Sequence, residues 1–133
     1  MEKNLIILIM LIILASHNPF AQENSDEKNI LGEWVTNKKE RVLEIYKENG
    51  KYYGRISKIL NQESNDNSKV KQGMIILRDL VYEDGVFTDG EIYAAKRDSY
   101  FSAEIKMLER DRLELTVSAF MISRSVEWTR YKE

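Results

Sequence analysis

Few side chains in this chain are suited to nucleophilic or metal chemistry. His17 is the one histidine, and there is no cysteine. His17 lies in an N-terminal apolar segment that we expect to be removed, so the mature protein would have neither residue. This excludes Ser-His-Asp and Cys-His catalysis, a histidine general base and the usual zinc and transition-metal ligand sets. We therefore expect no metal, no cofactor and none of the common hydrolase mechanisms.

Carboxylates are the remaining candidates for catalysis. Asp79, Asp89 and Glu91 lie in segments that are otherwise apolar or aromatic, and two acids several ångströms apart can cleave a glycosidic bond. An acid in the middle of a strand is more often on the solvent face of a sheet, however, and a domain of this size leaves little room for a sugar cleft. The glycines are scattered singly, which is unlike a phosphate-binding loop. We predict a protein that is not an enzyme and has no catalytic residue.

The N-terminal segment has the pattern of an export signal. Lys3 precedes an unbroken apolar run over residues 5–14. As a helix, this run and its closing alanine would be roughly 16 Å long, about half of the hydrocarbon core of a bilayer. We predict a signal peptide over residues 1–21, cleaved after Ala21, and export to the periplasm or beyond the bacterial cell envelope. The alternative is an uncleaved N-terminal anchor.

The rest of the chain is predicted to be one globular domain. Glu2 and Lys3 are both removed with the signal, so the formal charge stays at -2, which suggests neither a nucleic-acid partner nor a strongly acidic substrate. Residues 22–29 are wholly polar and are predicted to be a flexible leader, with the domain over residues 30–133. Because there is no cysteine, core packing rather than disulfides must stabilise the domain.

The domain has the pattern of an all-β protein. Segments rich in β-branched and aromatic residues follow one another about every 12 residues, and alternation is clearest over residues 101–107 and 113–118. Gly54 and Gly90 fall inside strand segments, where glycine commonly marks a bulge or bend. The eight predicted strands cover residues 31–36, 42–47, 52–60, 74–82, 86–93, 101–107, 113–118 and 123–131.

The connections between these strands alternate in type. Asn49-Gly50, Asp84-Gly85 and residues 109–111 are tight hairpin signals, because Asn-Gly and Asp-Gly readily adopt positive φ angles. Three of the other four connections are longer or lack such a dipeptide. Successive connections of an up-and-down meander lie at opposite ends, so the tight hairpins share one end. If the sheet closes, we expect a small barrel that is pinched at that end and open at the other.

The open end is where a ligand could bind. The polar connection over residues 61–72 would overhang it, either as a lid or as a plain connection. The alternative to a binding role is that the lining side chains simply fill a barrel with little interior space. The predicted lining, which includes two adaptable methionines, is Met74, Ile76, Phe101, Ala103, Ala119 and Met121.

The two ends of the domain carry matching motifs. Gly32-x-Trp34 begins the first strand and Trp128-x-Arg130 ends the last. In a closed meander these strands are antiparallel neighbours, so the guanidinium can cover the Trp34 ring. We predict that Trp34, Trp128 and Arg130 form a structural plug of the barrel. The alternative is two ordinary core tryptophans and a solvated arginine.

Five short motifs occur in order along nearly all of the mature chain. They are Gly32-x-Trp34, residues 42–46, Gly50-Lys51-Tyr52-Tyr53-Gly54-Arg55-Ile56, Gly90-x-Ile92-Tyr93 and Trp128-x-Arg130. Together they resemble a family of exported bacterial proteins, domain of unknown function 2147 (DUF2147). The first and last also resemble the lipocalin and calycin barrels, which bind small apolar molecules inside eight strands. The resemblance implies an eight-stranded, antiparallel, up-and-down, lipocalin-like barrel and export.

Two segments depart from the pattern of that family. Residues 94–97 are Ala-Ala-Lys-Arg, where the family usually has an Asp-Pro pair followed by Gly-Lys. Residues 118–120 are Ser-Ala-Phe, where the family has Arg-Gly-Tyr in the seventh strand. The resemblance therefore bears chiefly on fold and export.

Two functions follow from these features. The first is an exported, non-catalytic binding protein that carries or senses a small apolar or amphipathic molecule, such as a lipid, in the cell envelope. The alternative is a protein–protein interaction module, such as an inhibitor or envelope assembly factor, with a barrel filled by side chains. Such a module would use outward aromatic residues, and strand alternation predicts Phe87, Tyr100 and Phe120 on the polar face.

Overall fold

A closed meander of antiparallel strands forms the domain. The computed structural model describes residues 25–63 and 69–133. Helix α1 (Ser25–Asn29) is followed by β1 (Gly32–Val35), β2 (Arg41–Glu48), β3 (Lys51–Ile59), β4 (Ile75–Glu83), β5 (Val86–Ala94), β6 (Ser99–Glu109), β7 (Arg112–Ala119) and β8 (Ile122–Arg130). Each strand pairs with the next, and β8 pairs with β1, so the sheet is a closed barrel. The predicted eight-stranded, up-and-down β-barrel is confirmed.

The connections define two different ends of this barrel. The β2–β3, β4–β5 and β6–β7 turns share one end, called the closed end here. Asn49 and Gly50 have φ angles of 52° and 80°, and Asp84 and Gly85 have 51° and 85°, as tight hairpins of the predicted kind require. The other connections lie at the opposite, open end.

A bulge in β5 reverses the alternation of its side chains. Phe87 pairs with Ile105 and Gly90 pairs with Ala103, so β5 carries one extra residue between these pairs. An extra residue moves the following side chains to the other face, and both Phe87 and Ile92 are therefore buried. The prediction that Phe87 faces outward is wrong for this reason, since its side chain is 0% exposed.

Aromatic rings fill the half of the barrel near the closed end. The Phe87 ring contacts Tyr52 edge-on at 5.0 Å and Tyr82 at 4.7 Å between ring centroids. Leu80 packs beside them, directly over Gly90, where an added Cβ would lie 2.5 Å from the Leu80 Cδ2 atom. Gly90 therefore allows a leucine to occupy the space that its own side chain would need.

Helix α1 lies against the closed end. Glu27 Oε1 accepts a hydrogen bond from the Tyr52 hydroxyl at 3.0 Å, and Asp26 Oδ2 accepts one from the Tyr82 hydroxyl at 3.3 Å. Residues 25–29 are thus a helix rather than the expected flexible leader, because two tyrosines of distant strands anchor it. Residues 22–24 and the predicted signal peptide over 1–21 lie outside the described residues. In the part of the chain that is described, no helix is long and apolar enough to cross a membrane.

The β3–β4 connection is held partly by the barrel. Val70 is buried in the core cluster with 4% exposure, and the Gly73 amide donates to the Ile56 carbonyl at 2.7 Å. Residues 64–68, in the middle of the predicted 61–72 connection, lie outside the described residues. In the described part of this connection, Val70 alone is buried, and it fixes the connection to the open end.

Candidate functional site

A cavity of about 220 Å³ opens between the strands at the open end. Its wall is apolar and consists of Ile76, Ile92, Leu115, Val126 and Trp128. Its rim is polar and is formed by Thr36, Asn37, Lys38, Glu40, Arg41 and Tyr93. An apolar pocket with a few polar groups at its mouth is the usual form of a small-molecule site.

The cavity exists because the two halves of the barrel are filled differently. An eight-stranded barrel has just enough interior space for its own side chains. The rings of Tyr52 and Phe87 occupy the closed half, whereas aliphatic side chains such as Ile92 and Val126 line the open half. These smaller side chains leave space above the Trp128 ring.

The rim of the cavity is held by backbone and side-chain hydrogen bonds. The Glu40 carbonyl accepts from the Leu60 amide at 2.8 Å, which joins the β1–β2 connection to the end of β3. The Tyr93 hydroxyl donates to Asp98 Oδ1 at 2.5 Å. This hydrogen bond and burial raise the pKa of Tyr93, so the phenol is neutral at physiological pH. Lys38 and Arg41 supply positive charge at the rim.

The Trp34 ring and the Arg130 guanidinium meet at the closed end. The guanidinium carbon lies 4.0 Å from the ring centroid. The Trp34 indole donates to the Ile30 carbonyl at 2.8 Å, while Arg130 donates through Nη1 to the Leu31 carbonyl at 2.9 Å and through Nη2 to the Asn29 carbonyl. Gly32, with φ of 115°, lies so close that an added Cβ would be 3.2 Å from Nη1. This set of contacts ties the helix to both end strands.

Residues 32–130 match the model of a family described as an uncharacterized protein conserved in bacteria, DUF2147. The chain belongs to the DUF2147 family. No curated protein matches it. Among solved structures, protein HP1028 from Helicobacter pylori, described as belonging to the lipocalin family, is 18% identical with a TM-score of 0.56, over 70% of this chain and 73% of that one. The likeness shows that this DUF2147 barrel has a lipocalin-like fold.

The six residues predicted to line a binding site in this DUF2147 protein lie in different places. Ile76 is in the wall of the cavity. Met74 and Phe101 are half-buried near the open end, Ala103 is buried beside Gly90, and Ala119 is half-buried. Met121 is 99% exposed at the tip of the β7–β8 hairpin. The structure therefore brings one of the six to the cavity wall and leaves another fully in solvent.

Several residues of the cavity were absent from that predicted set. Leu115 and Trp128 follow the regular alternation of β7 and β8, so this pattern could have found them. Ile92 could also have been found, because the alternation that places Phe87 outward places Ile92 inward; the bulge before Gly90 changes the face of Phe87 instead. Arg41 begins β2 next to a register shift between Val42 and Leu43, and nothing in its sequence setting predicts a rim position.

The three acids considered for catalysis lie outside this cavity, and two of them, Asp89 and Glu91, line a second cavity over β5, β6 and β7 together with Glu104. Asp79 accepts from the Tyr53 hydroxyl at 3.3 Å, and Glu91 pairs with Arg78 at 3.1 Å. Asp89 is exposed at the β5 bulge with φ of 62°. Over residues 25–63 and 69–133, no three Asp, Glu, His or Cys side chains are grouped so that they could hold a metal ion.

Proposed function

We propose that this DUF2147 protein is an exported, non-catalytic binding protein that carries or senses a small amphipathic molecule in the cell envelope. The apolar part of the ligand would occupy the cavity against Ile92, Val126 and Trp128. Its polar end would lie at the rim beside Lys38 and Arg41. The observation that carries this proposal is a cavity with an apolar wall and a charged rim at the open end of a lipocalin-like barrel.

The size of the cavity limits the part of a ligand that it can hold. Its volume of about 220 Å³ is below the roughly 300–1,000 Å³ of common small-molecule pockets. A single acyl chain or one ring is therefore a better match than a large polycyclic molecule. The rest of the ligand would remain at the rim.

The rim carries two bases, Lys38 and Arg41, and one acid, Glu40, and this excess of positive charge favours an anionic polar end. Lys38 and Arg41 can both donate hydrogen bonds to a carboxylate or phosphate, and an arginine can do so through two parallel N–H groups. Burial of the apolar part and charge-assisted hydrogen bonds at the rim would then act on opposite ends of one molecule. We therefore propose a long-chain carboxylate or related anionic amphiphile as the ligand class.

Export is supported by the sequence of the N-terminal segment. The apolar run over residues 5–14 follows Lys3, and residues 1–21 contain the one histidine of the chain. Sequencing the N-terminus of protein recovered from the periplasm is expected to give Gln22 as the first residue. Recovery of unprocessed protein in the membrane fraction would instead support the uncleaved anchor.

Fatty-acid titration tests the cavity directly. Binding of laurate to purified protein, followed by the fluorescence of Trp128 in the wall, is expected to saturate at one molecule per chain. Val126→Phe fills the cavity and should weaken binding by roughly tenfold or more. Val86→Phe, at the start of β5 near the closed end, adds the same ring away from the cavity and is the matched control.

The rim is tested by comparing two ligands of equal length. Arg41→Gln should weaken the binding of laurate by about tenfold, as expected for the loss of a hydrogen bond to a charged group, and should leave binding of dodecanol nearly unchanged. Native mass spectrometry of protein from its own envelope should show a small adduct. A bare mass together with no laurate binding would contradict the proposal.

The alternative of a protein–protein interaction module has lost part of its basis. It rested on three outward aromatic residues, of which Phe87 is buried. Tyr100 is half-buried and stacks under the Arg78 guanidinium at 3.6 Å. Of these three aromatic residues, Phe120 alone is fully exposed.

A further inference from the structure

The β7–β8 hairpin ends in an exposed apolar tip. Phe120, Met121 and Ile122 are 107%, 99% and 75% exposed, whereas Leu60 and Ile75, also near the open end, are 45% and 44% exposed. Ala119 pairs with Ile122, so the turn itself consists of Phe120 and Met121. A contiguous apolar tip of this kind is unusual on a protein that only contacts water.

The turn also has a residue that does not suit its backbone. Phe120 has a φ of 56°, in the left-handed region that favours glycine and asparagine. The two comparable turns at the closed end use Asn49 and Asp84 at φ angles of 52° and 51°. A phenylalanine is both strained and exposed at this position, so the fold does not explain it. Strain of this kind concentrates at functional positions.

Basic side chains are frequent in the other connections at the open end. Exposed bases occur in each of the three loop connections there and on β8: Lys38, Lys39, Lys69, Lys71, Arg97 and Arg124. The described acids of these connections are Glu40, Glu63 and Asp98, and Asp98 accepts from Tyr93. Asp66 belongs to the β3–β4 connection by sequence but lies outside the described residues. The bases therefore outnumber the acids, although the whole chain has a formal charge of -2.

The closed end differs in this respect. There Glu27 lies 3.9 Å from Lys47, and Asp111 lies 3.2 Å from Arg130 and 3.8 Å from Lys132. Charges of both signs are paired, and the described turn residues Asn49, Gly50, Asp84 and Gly85 are polar or small. The combination of an apolar tip and excess positive charge belongs to the open end.

We propose that the open end docks on an anionic phospholipid bilayer, with Phe120 and Met121 inserted among the headgroups. Aromatic and aliphatic side chains insert at this depth, while lysine and arginine are attracted to lipid phosphates. A two-residue convex tip presents far less area than the roughly 800 Å² per partner of a stable protein interface, which favours the membrane over a protein. Docking would place the mouth of the cavity at the membrane surface, and this last step rests on the proposed function.

Vesicle sedimentation tests the docking. Protein recovered from the envelope, with its N-terminus determined, is mixed with phosphatidylcholine vesicles that contain or lack phosphatidylglycerol. Binding is expected with the anionic vesicles and should fall at high salt because salt screens the lysine contacts. Phe120→Asn with Met121→Ser should weaken it by roughly tenfold or more, and the asparagine suits the turn, so folding is preserved.

Two controls separate this proposal from other causes. Leu31→Ser removes an exposed apolar side chain at the closed end, and Lys51→Glu reverses a charge there. Both of these variants should bind vesicles normally. Lys38→Glu reverses a charge at the open end and should not bind vesicles normally. In the Phe120→Trp variant, tryptophan fluorescence should be quenched by lipids brominated near the headgroup. Two results would overturn the proposal: vesicle binding by the tip variant equal to that of the unchanged protein, or no binding to either kind of vesicle. The second result would leave a protein as the partner of the exposed tip. Phe120 and Met121 do not line the cavity, so the tip variant should bind laurate in solution normally, and failure of docking and failure of the proposed function are distinguishable.

Discussion

The Arg130 side chain connects the end of β8 to the segment before β1 and to the β6–β7 turn. Its guanidinium covers the Trp34 ring and donates to the carbonyls of Leu31, Asn29 and Arg110. These carbonyls come from the segment before β1 and from the β6–β7 turn. A planar group with five donors can satisfy this arrangement, whereas a lysine ammonium cannot. The position therefore requires arginine rather than positive charge alone.

Trp34→Ala tests the packing beneath this arginine. The ring is 0% exposed, so its loss removes a large buried surface together with the hydrogen bond to Ile30 and the guanidinium contact. We expect destabilisation by about 3–5 kcal/mol, measured by urea unfolding. Leu60→Ala, at a half-exposed position, is the control. A change below about 1 kcal/mol would show that the ring is not buried in solution.

The hydrogen bond between Tyr93 and Asp98 should make the stability of the protein depend on pH. Its pKa is raised by the hydrogen bond to Asp98 and by burial, because deprotonation would place a phenolate beside a carboxylate. The stability that this bond contributes is present below the usual tyrosine pKa and is lost as pH rises through the raised value. Asp98→Asn should lower the pKa of Tyr93 in an NMR titration assigned with Tyr93→Phe. An unchanged titration would contradict the hydrogen bond.

At the scale of the strands, bulges decide which side chains enter the barrel. Asp79 and Asp89, on neighbouring strands, have φ angles of 64° and 62°, which are irregular for strand residues.

The number of strands and the hairpin turns could be predicted, because alternation and Asn-Gly or Asp-Gly dipeptides are local signals. The pairing of the first and last strands could be predicted from the motifs at the two ends of the domain. The face of Phe87 could not, because a bulge depends on how two strands pair. The side chains inside the barrel were therefore harder to predict than the barrel itself.

Gly90 and Leu80 can be tested as a pair. Gly90→Ala should destabilise by about 1–3 kcal/mol through overpacking, since its Cβ would lie 2.5 Å from Leu80 Cδ2. In a Leu80→Ala background the same substitution should cost less, and the remaining cost should reflect the Arg78 carbonyl oxygen, which would lie 3.0 Å from the added Cβ. Thermal unfolding of the four proteins in this double-mutant cycle gives the coupling. Equal costs in both backgrounds would mean that the two residues are not in contact.

For the molecule as a whole, the pairing of β1 with β8, which closes the barrel, is the shortest of the strand pairings. Two residue pairs join β1 to β8, whereas seven join β6 to β7. Helix α1 and the Arg130 contacts reinforce this closure from the closed end. The five-residue helix was not predicted, because so short and polar a helix gains its stability from tertiary contacts and not from its own sequence.

Hydrogen exchange should report this difference. The amides of Val35 and Thr129 are expected to exchange roughly tenfold or more faster than those of Ile105 and Leu115 under native conditions, because few pairs must open. Arg130→Lys should increase the exchange of the first two and leave the second two nearly unchanged. Uniform protection around the barrel would show that the β1–β8 pairing opens only with global unfolding.

Because β1 is short, it leaves part of β8 without a partner strand on one side. β8 pairs with β7 from Ile122 to Thr129, but β1 reaches only Thr129 and Arg130. The backbone of β8 between these points is thus an uncovered sheet edge, a feature that invites strands of other molecules to add. Ser123, Arg124, Ser125 and Glu127 occupy this stretch and are exposed. Their polarity and charge act against self-association, so replacing them with β-branched apolar residues should cause aggregation before it causes unfolding.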